Sequence, residues 1–364
     1  MFTLREAPQP HYDTIIAGSG PAGVMAALGA ARRGSVLVVE TSRLPRDKSC
    51  GGMLNEFAQQ FLADIAPLPE SMVRSPSYVN FRYVDWDREI RKPTGLRFLN
   101  VDRIEFDEWL LRLLPSSVDV VAECAVIGVT QDAHRVVATL KSRDSEYTVT
   151  CENLVGADGA RSTVRRELGE GSVATYVTLQ DFCRLSGDLP PYFDCIYMRN
   201  IGDAYAYSYV VPKDDIAIVG SVYYPKTKRP YLKQDQTLSI LRAAMPQLGE
   251  TVRREASVAL SVRSARDIVP GRGRIILAGE AGGFMSPTSG EGISYALNSG
   301  RYAGEMIANH EPSHVLEAYA AATRQIGANI HRKLKWLPLM ESAWGKYLAG
   351  FVPTPLVSKV TQGL

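Results

Sequence analysis

The chain has 364 residues, 45% of them apolar, and sets 41 basic against 39 acidic side chains for a formal charge of +2. That length can bury a substantial core in one large or two interleaved domains, and the even charge balance gives no electrostatic footprint for nucleic acid. Residues 1–11 lack the charged-then-apolar pattern of a secretory signal, and no run reaches the length of a membrane span, so a cytoplasmic protein is expected. Five scattered cysteines (Cys50, Cys124, Cys151, Cys183, Cys195) form no C-x-x-C pair, which argues for buried thiols and against a disulfide framework or a metal site.

Residues 12–17 read as a short apolar strand, 21–33 as an alanine-rich helix and 35–40 as a second strand, a βαβ unit. Gly18-Ser19-Gly20-Pro21-Ala22-Gly23 joins the first strand to the helix. Gly18 permits the tight turn, Gly20 lets the backbone approach a pyrophosphate, and Gly23 lets helix and strand pack closely, while the amides around Ala22 face the phosphates. Glu40 ends the second strand, where a carboxylate accepts from a ribose hydroxyl and would repel the 2′-phosphate of NADP. This context predicts a bound dinucleotide.

Further along, residues 77–87 and 182–222 are rich in Tyr, Val and Phe between turn residues and predict a mostly antiparallel sheet. Within it Tyr205, Tyr207 and Tyr209 alternate and so share one strand face, either lining an elongated apolar cavity or covering the sheet. Arg103 opens an amphipathic helix with Phe106, Trp109 and Leu110, where it faces a ligand or stands on the surface. Strand-like residues 136–140 and 147–150 precede Asp158-Gly159-Ala160-Arg161-Ser162, and 164–168 read as helix, for which Ser162 is a plausible N-cap. An apolar strand over 274–279 leads through Gly279-Glu280 and Pro287-Thr288-Ser289-Gly290-Glu291-Gly292 into a helix over 293–308 beginning at Ile293. Two glycine loops some 260 residues apart suggest an FAD stretched across the fold, its isoalloxazine near the late loop. After Ser313 the chain is helical to about Lys335, and the tail through 336–352 caps the cavity, packs on the body or rests on a membrane surface.

These segments together resemble the geranylgeranyl reductase family of flavoproteins, within the larger p-hydroxybenzoate hydroxylase-like group, over residues 12–310. Pro45-Arg46-Asp47-Lys48-Ser49-Cys50-Gly51-Gly52 draws the likeness toward this subfamily, and Tyr207-Ser208-Tyr209-Val210-Val211-Pro212-Lys213 resembles its Tyr-x-Trp-x-Phe-Pro-Lys substrate motif. The resemblance implies that Gly18, Gly20, Ala22, Gly23, Glu40, Cys50, Gly51, Arg103, Asp158, Ser162, Gly279, Glu280, Pro287, Gly290, Gly292 and Ile293 hold FAD. It implies that Tyr205, Tyr207, Tyr209, Pro212 and Lys213 meet the substrate, with Lys213 either holding an anionic headgroup or solvated in a turn. Cys50, near the flavin by resemblance, is a redox-active thiol or a small residue needed for fit; with Tyr207 and Tyr209 it is a catalytic candidate beside flavin-borne chemistry. Glu280 departs from the family's aspartate, and Tyr209 and Val211 from its Trp and Phe.

The expected fold is α/β: a Rossmann-like FAD-binding domain (1–75, 101–170 and 266–312) interleaved with a mostly antiparallel β-sheet substrate domain (76–100 and 171–265), then C-terminal helices (313–364). The family likeness implies an FAD-dependent oxidoreductase that reduces carbon–carbon double bonds of a prenyl or other apolar substrate. Two alternatives stand beside it: a monooxygenase or halogenase working through a C4a-hydroperoxide on an aromatic or protein-bound substrate, and a non-catalytic flavin-binding maturation partner. No second G-x-G-x-x-G follows a strand in 150–280, so NAD(P)H or another external reductant, or a redox partner, is expected to visit transiently. The remaining partner expected is a peripheral membrane contact.

Overall fold

The computed structural model describes residues 2–198 and 207–353. The chain opens with β1 (Thr3–Leu4), β2 (His11–Ala17), α1 (Pro21–Ala30) and β3 (Val36–Val39), then β4 (Met53–Leu54) and α2 (Glu56–Ala63). A long hairpin, β5 (Val73–Asp85) and β6 (Ile90–Val101), leads to α3 (Arg103–Arg112), β7 (Val118–Val121), β8 (Ala125–Gln131), β9 (Val136–Lys141), β10 (Glu146–Gly156) and α4 (Thr163–Glu167). Next come β11 (Thr175–Leu185), β12 (Tyr192–Tyr197), β13 (Tyr207–Lys213), β14 (Ile216–Tyr223), α5 (Pro230–Ala244) and β15 (Leu248–Leu260). Then follow β16 (Gly271–Arg272), β17 (Ile275–Leu277), α6 (Ile293–Asn309), α7 (Val315–Ala322), α8 (Arg324–Leu334), α9 (Leu337–Glu341) and α10 (Ala343–Ala349).

Two sheets organise these elements. The first runs β1-β7-β3-β2-β10-β17-β16 and is parallel from β1 to β17, with β8 and β9 joined to β10 antiparallel. Its central strands are covered on both faces, which is why Val36-Leu37-Val38-Val39 is an unbroken buried apolar run. The second runs β15-β11-β14-β13-β12-β5-β6-β4, antiparallel except where β12 meets β5. Met53–Leu54, expected with the cofactor unit, pairs instead with β6 of this second sheet, so the Cys50-Gly51-Gly52 turn lies where the chain crosses from one sheet to the other.

The parallel register fixes the site. Gly156 pairs with Ala17 on one side and Leu277 on the other, so the carboxyl ends of β2, β10 and β17 align on one edge. The loops at Gly18, Asp158 and Gly279 therefore leave the sheet side by side, at the edge where open α/β sheets bind ligands. Above them α1 and α6 pack almost backbone to backbone: a Cβ on Gly300 would strike the Ala22 carbonyl, and Gly304 lies against Gly29. The main core, including Ile16, Val24, Phe106, Ile276, Phe284 and Tyr295, sits between this sheet face and its helices.

Candidate cofactor and substrate site

The early loop is built for close approach. A Cβ on Gly23 would run into the Gly18 carbonyl oxygen, and Gly18 itself has φ +102°. No side chain caps α1, whose N-cap is Gly20, so its first-turn amides face outward. Glu40 is buried at the end of β3 and holds the loop: Oε2 accepts from Ser19 N (3.0 Å) and Ser19 Oγ (2.7 Å), Oε1 from Ser42 N (2.9 Å). Burial raises its pKa, but the Arg46 charge and those N–H donors outweigh it and hold the carboxyl below its usual range.

Beside Gly20 stands a relay of charges. The Arg46 guanidinium lies where a Gly20 Cβ would be 3.2 Å from it, donates to Asp107 Oδ2 (2.8 Å) and comes within 4.0 Å of Glu40. Arg103, buried at the first position of α3, donates to both Asp107 oxygens at 3.0 Å. Asp107 is thus held well ionised against its burial. Arg103 Nε is buried without a hydrogen-bond partner, an unspent donor in the cradle. Neither Arg46 nor Asp107 stood out in the sequence as a site residue, although Arg46 lies in the segment that carries the family likeness.

Cys50 is half-buried, whereas the other four cysteines are buried as expected. Burial pushes its thiol up, but Arg103, the Gly52 N–H and Lys48 bring it below the ordinary value. A cavity of 290 Å³ opens at this thiol, lined by Lys48, Arg103, Lys213, Phe182 and Ile218 among others.

The late loop faces the early one. Gly279 contacts the Ala22 methyl and is tied to α6 by its N–H to Ser299 Oγ (2.9 Å). Glu280 takes up its extra methylene by reaching Lys48 Nζ at 3.5 Å, and its Oε2 is otherwise without a hydrogen-bond partner. α6 begins at Gly292 with no side-chain cap on that residue, while Glu291 accepts from Ser294 N and Oγ. Glu291 is raised by burial, and Lys333 of α8, pushed down to about 8 by burial, reaches the same loop at Ser286 Oγ (3.5 Å) and Tyr295 Oη (3.1 Å). Sequence periodicity gave no sign that the C-terminal helices would brace this loop.

The second sheet supplies an aromatic wall. Tyr207 Oη lies 3.5 Å from the Ser289 carbonyl, and its ring is 6.4 Å from Tyr197. Tyr209 crosses Gly220 of the neighbouring strand, accepts from Gln180 and stacks 5.2 Å from Phe193. Both phenols are held neutral by burial. Tyr205 lies outside the described residues.

Two expectations are corrected. Lys213 is not solvated in a turn: it is buried at the end of β13 beside the cavity at Cys50, and Nζ donates to Gly52 O (3.3 Å), Asn100 Oδ1 (2.5 Å) and Val101 O (2.8 Å). Arg103 is not a surface arginine, because α3 turns it inward onto Asp107. Asp158 accepts from Ser162 Oγ (2.5 Å), Thr163 N (2.7 Å) and Val164 N (3.1 Å) at the start of α4, while Ser162, its expected N-cap, accepts from Arg165 N.

Uncapped amides at the start of α1, glycines no side chain could replace and a buried guanidinium whose Nε has no partner suit an extended, pyrophosphate-containing ligand. Gly18, Gly20, Ala22, Gly23, Arg46 and Arg103 would hold its phosphates, Glu280 the ribityl chain, and Pro287 to Ile293 the ring end. Fold and site define an FAD-binding protein. The chain belongs to the FAD binding domain family, whose model matches residues 112–333, a stretch that holds the late loop and leaves the early one outside. Protein CbrA of Escherichia coli strain K12 is 31% identical over 337 residues, spanning 89% of this chain and 92% of that protein, and CbrA of strain CFT073 is 31% identical over 335 residues, spanning 89% and 88%. Among solved structures, a geranylgeranyl bacteriochlorophyll reductase-like protein from Thermoplasma acidophilum has a TM-score of 0.76 at 20% identity, covering 96% of this chain and 98% of its own. The flavin-dependent brominase Bmp2 has 0.72 at 22% (93% and 90%), and pqsL, a probable FAD-dependent monooxygenase from Pseudomonas aeruginosa, 0.69 at 16% (94% and 99%). At these identities the three structures share the fold with this chain.

Proposed function

We propose that this flavoprotein reduces a carbon–carbon double bond in a prenyl or similarly apolar chain. The observation that carries the reading is the aromatic cluster that Tyr207 brings to the late loop: Tyr207 meets Tyr197 at 6.4 Å, and Tyr209, Phe193, Phe81 and Phe98 make a second run of ring contacts at 5.2 to 6.3 Å in the same apolar cluster. Such a cluster binds an elongated apolar group by surface burial and excludes water from the reacting bond. When bound and reduced, FAD supplies a hydride to one carbon, and a proton to the other carbon completes the addition. Cys50, drawn toward ionisation by Arg103, and Tyr207, kept neutral by burial, are the chain's candidate proton sources. NAD(P)H or another soluble donor would visit from outside.

A monooxygenase or halogenase keeps the same scaffold and is the second reading, favoured by the brominase and the probable monooxygenase among the structures of like fold. The test is to reduce the purified holoprotein without oxygen and follow its reoxidation. Reoxidation driven by an allylic prenyl alcohol in the absence of oxygen supports the reductase. Reoxidation that needs oxygen, with a hydroxylated or halogenated product, sinks it.

A further inference from the structure

Of the large apolar side chains exposed among the described residues, five gather at one place: Trp336, Leu339, Trp344, Leu348 and Phe351, each 44% to 73% exposed. They lie on or beside α9 and α10, which pack so closely that a Cβ on Gly345 would strike the Leu339 carbonyl. Trp344, Tyr347 and Phe351 form a row with ring centroids 6.2 and 5.1 Å apart; 344, 347 and 348 share one side of α10, and Phe351 lies just past its end. The underside is anchored: Tyr83 Oη donates to the Lys346 carbonyl, Lys92 Nζ donates to the Val352 carbonyl, and Lys346 Nζ sits 4.9 Å from the Tyr197 ring centroid. The outer face is therefore held in place and still presents its rings to solvent.

Cations fringe it. Arg88 comes from the β5–β6 turn, its guanidinium 4.6 Å over Tyr347, Arg91 and Lys92 come from the start of β6, and Arg332 and Lys335 come from the end of α8. Asp85 is held by Arg88 (2.9 Å) and Glu341 by Arg263 (2.7 Å), so the remaining cations Arg91, Lys92, Arg332 and Lys335 outnumber the remaining carboxylates Asp87 and Glu89 in this neighbourhood. Tryptophan and tyrosine beside a positive fringe match the boundary of an anionic bilayer, where amphipathic rings sit at headgroup depth. No helix among the described residues is long and apolar enough to cross a membrane. From the underside a ring path leads inward: Tyr197 lies under Lys346 and 6.4 Å from Tyr207, whose Oη is 3.5 Å from Ser289 in the late loop.

We propose that the α9–α10 face seats the protein on an anionic lipid surface and that an apolar-chain substrate enters from that surface along the Tyr197–Tyr207 path. The entry half rests on the reductase reading; the docking half does not. The test uses full-length holoprotein sedimented with vesicles of phosphatidylcholine, alone or mixed with phosphatidylglycerol. The protein is expected to sediment with the mixed vesicles, about tenfold more weakly with phosphatidylcholine alone or at high salt, and its tryptophan emission to be quenched by brominated lipid. The double variant Trp344→Gln/Phe351→Gln alters only exposed side chains; it should keep its flavin content and melting temperature and lose about tenfold in partitioning. Unchanged partitioning of that variant, or no binding by the unaltered protein, overturns the proposal. So does a concentration-dependent dimer that the variant abolishes, which would assign the face to a second copy. Anaerobic reoxidation by a short soluble allylic alcohol in vesicle-free buffer reads the reductase chemistry separately, so the two can fail independently.

Discussion

Lys213 shows how one side chain's role depends on what surrounds it. Its ammonium holds the Cys50–Gly52 turn against the end of β6, and burial pushes its pKa down to about 7. The unfolded chain, with a lysine pKa of about 10.4, binds the extra proton between those values. The stability penalty is therefore full below pH 7 and is relieved as pH rises toward 10. Urea midpoints are expected to climb over that window in the unaltered protein, and Lys213→Met should flatten the rise. Gly23 poses a steric question. In Gly23→Ala the new methyl must displace the Gly18 carbonyl, an overpacking that costs about 1–3 kcal/mol. Flavin absorbance per chain after gel filtration should fall well below that of the unaltered protein, and retention of full flavin would contradict the role given to this loop.

Among the elements, α3 carries the most consequence for its length. Its capped start, with Asp102 accepting from Ile104 N and Glu105 N, sets Arg103 and Asp107 one turn apart on the inward face, where they meet Arg46 from the loop after β3. Replacing Asp107 by Asn keeps the shape and leaves two guanidinium groups sharing one uncharged partner. Breaking a buried pair of this kind costs about 3–5 kcal/mol, so equilibrium unfolding of Asp107→Asn should show a loss of that order. Fluorescence titration should also show weaker FAD binding, because Arg46 loses its anchor beside Gly20.

At the scale of the molecule, the early and late loops come from opposite ends of the chain and meet only because β2, β10 and β17 lie in parallel register. A ligand spanning both loops joins α1 to α6 and binds the folded state alone. FAD added to flavin-free protein is therefore expected to raise the melting temperature in a concentration-dependent way, by about 2.7 kcal/mol of stability at a hundredfold excess over Kd. AMP, which can engage only the early loop, should give a clearly smaller shift in the same scan; an equal shift would mean that the late loop contributes nothing to binding.

The sequence by itself determined the βαβ start, the three strand-to-loop junctions at Gly18, Asp158 and Gly279, the long α6, and FAD as the ligand, because these follow from local periodicity and from glycines at turns. The places of Arg103 and Glu40 were also legible, each being set by the element it begins or ends. The partners that complete the cradle were not. Arg46 on Asp107, Lys48 on Glu280 and Lys333 on the late loop join residues far apart in the chain, and no local pattern encodes such a meeting. The same holds for the correction at Lys213: a lysine after a proline reads as a turn until the packing of β13 against β6 and the Gly52 turn surrounds it with three oxygens. Local chemistry chose the cofactor; which side chains are buried, paired or exposed around it was decided by tertiary packing, since only folding brings those distant segments to one edge of a sheet.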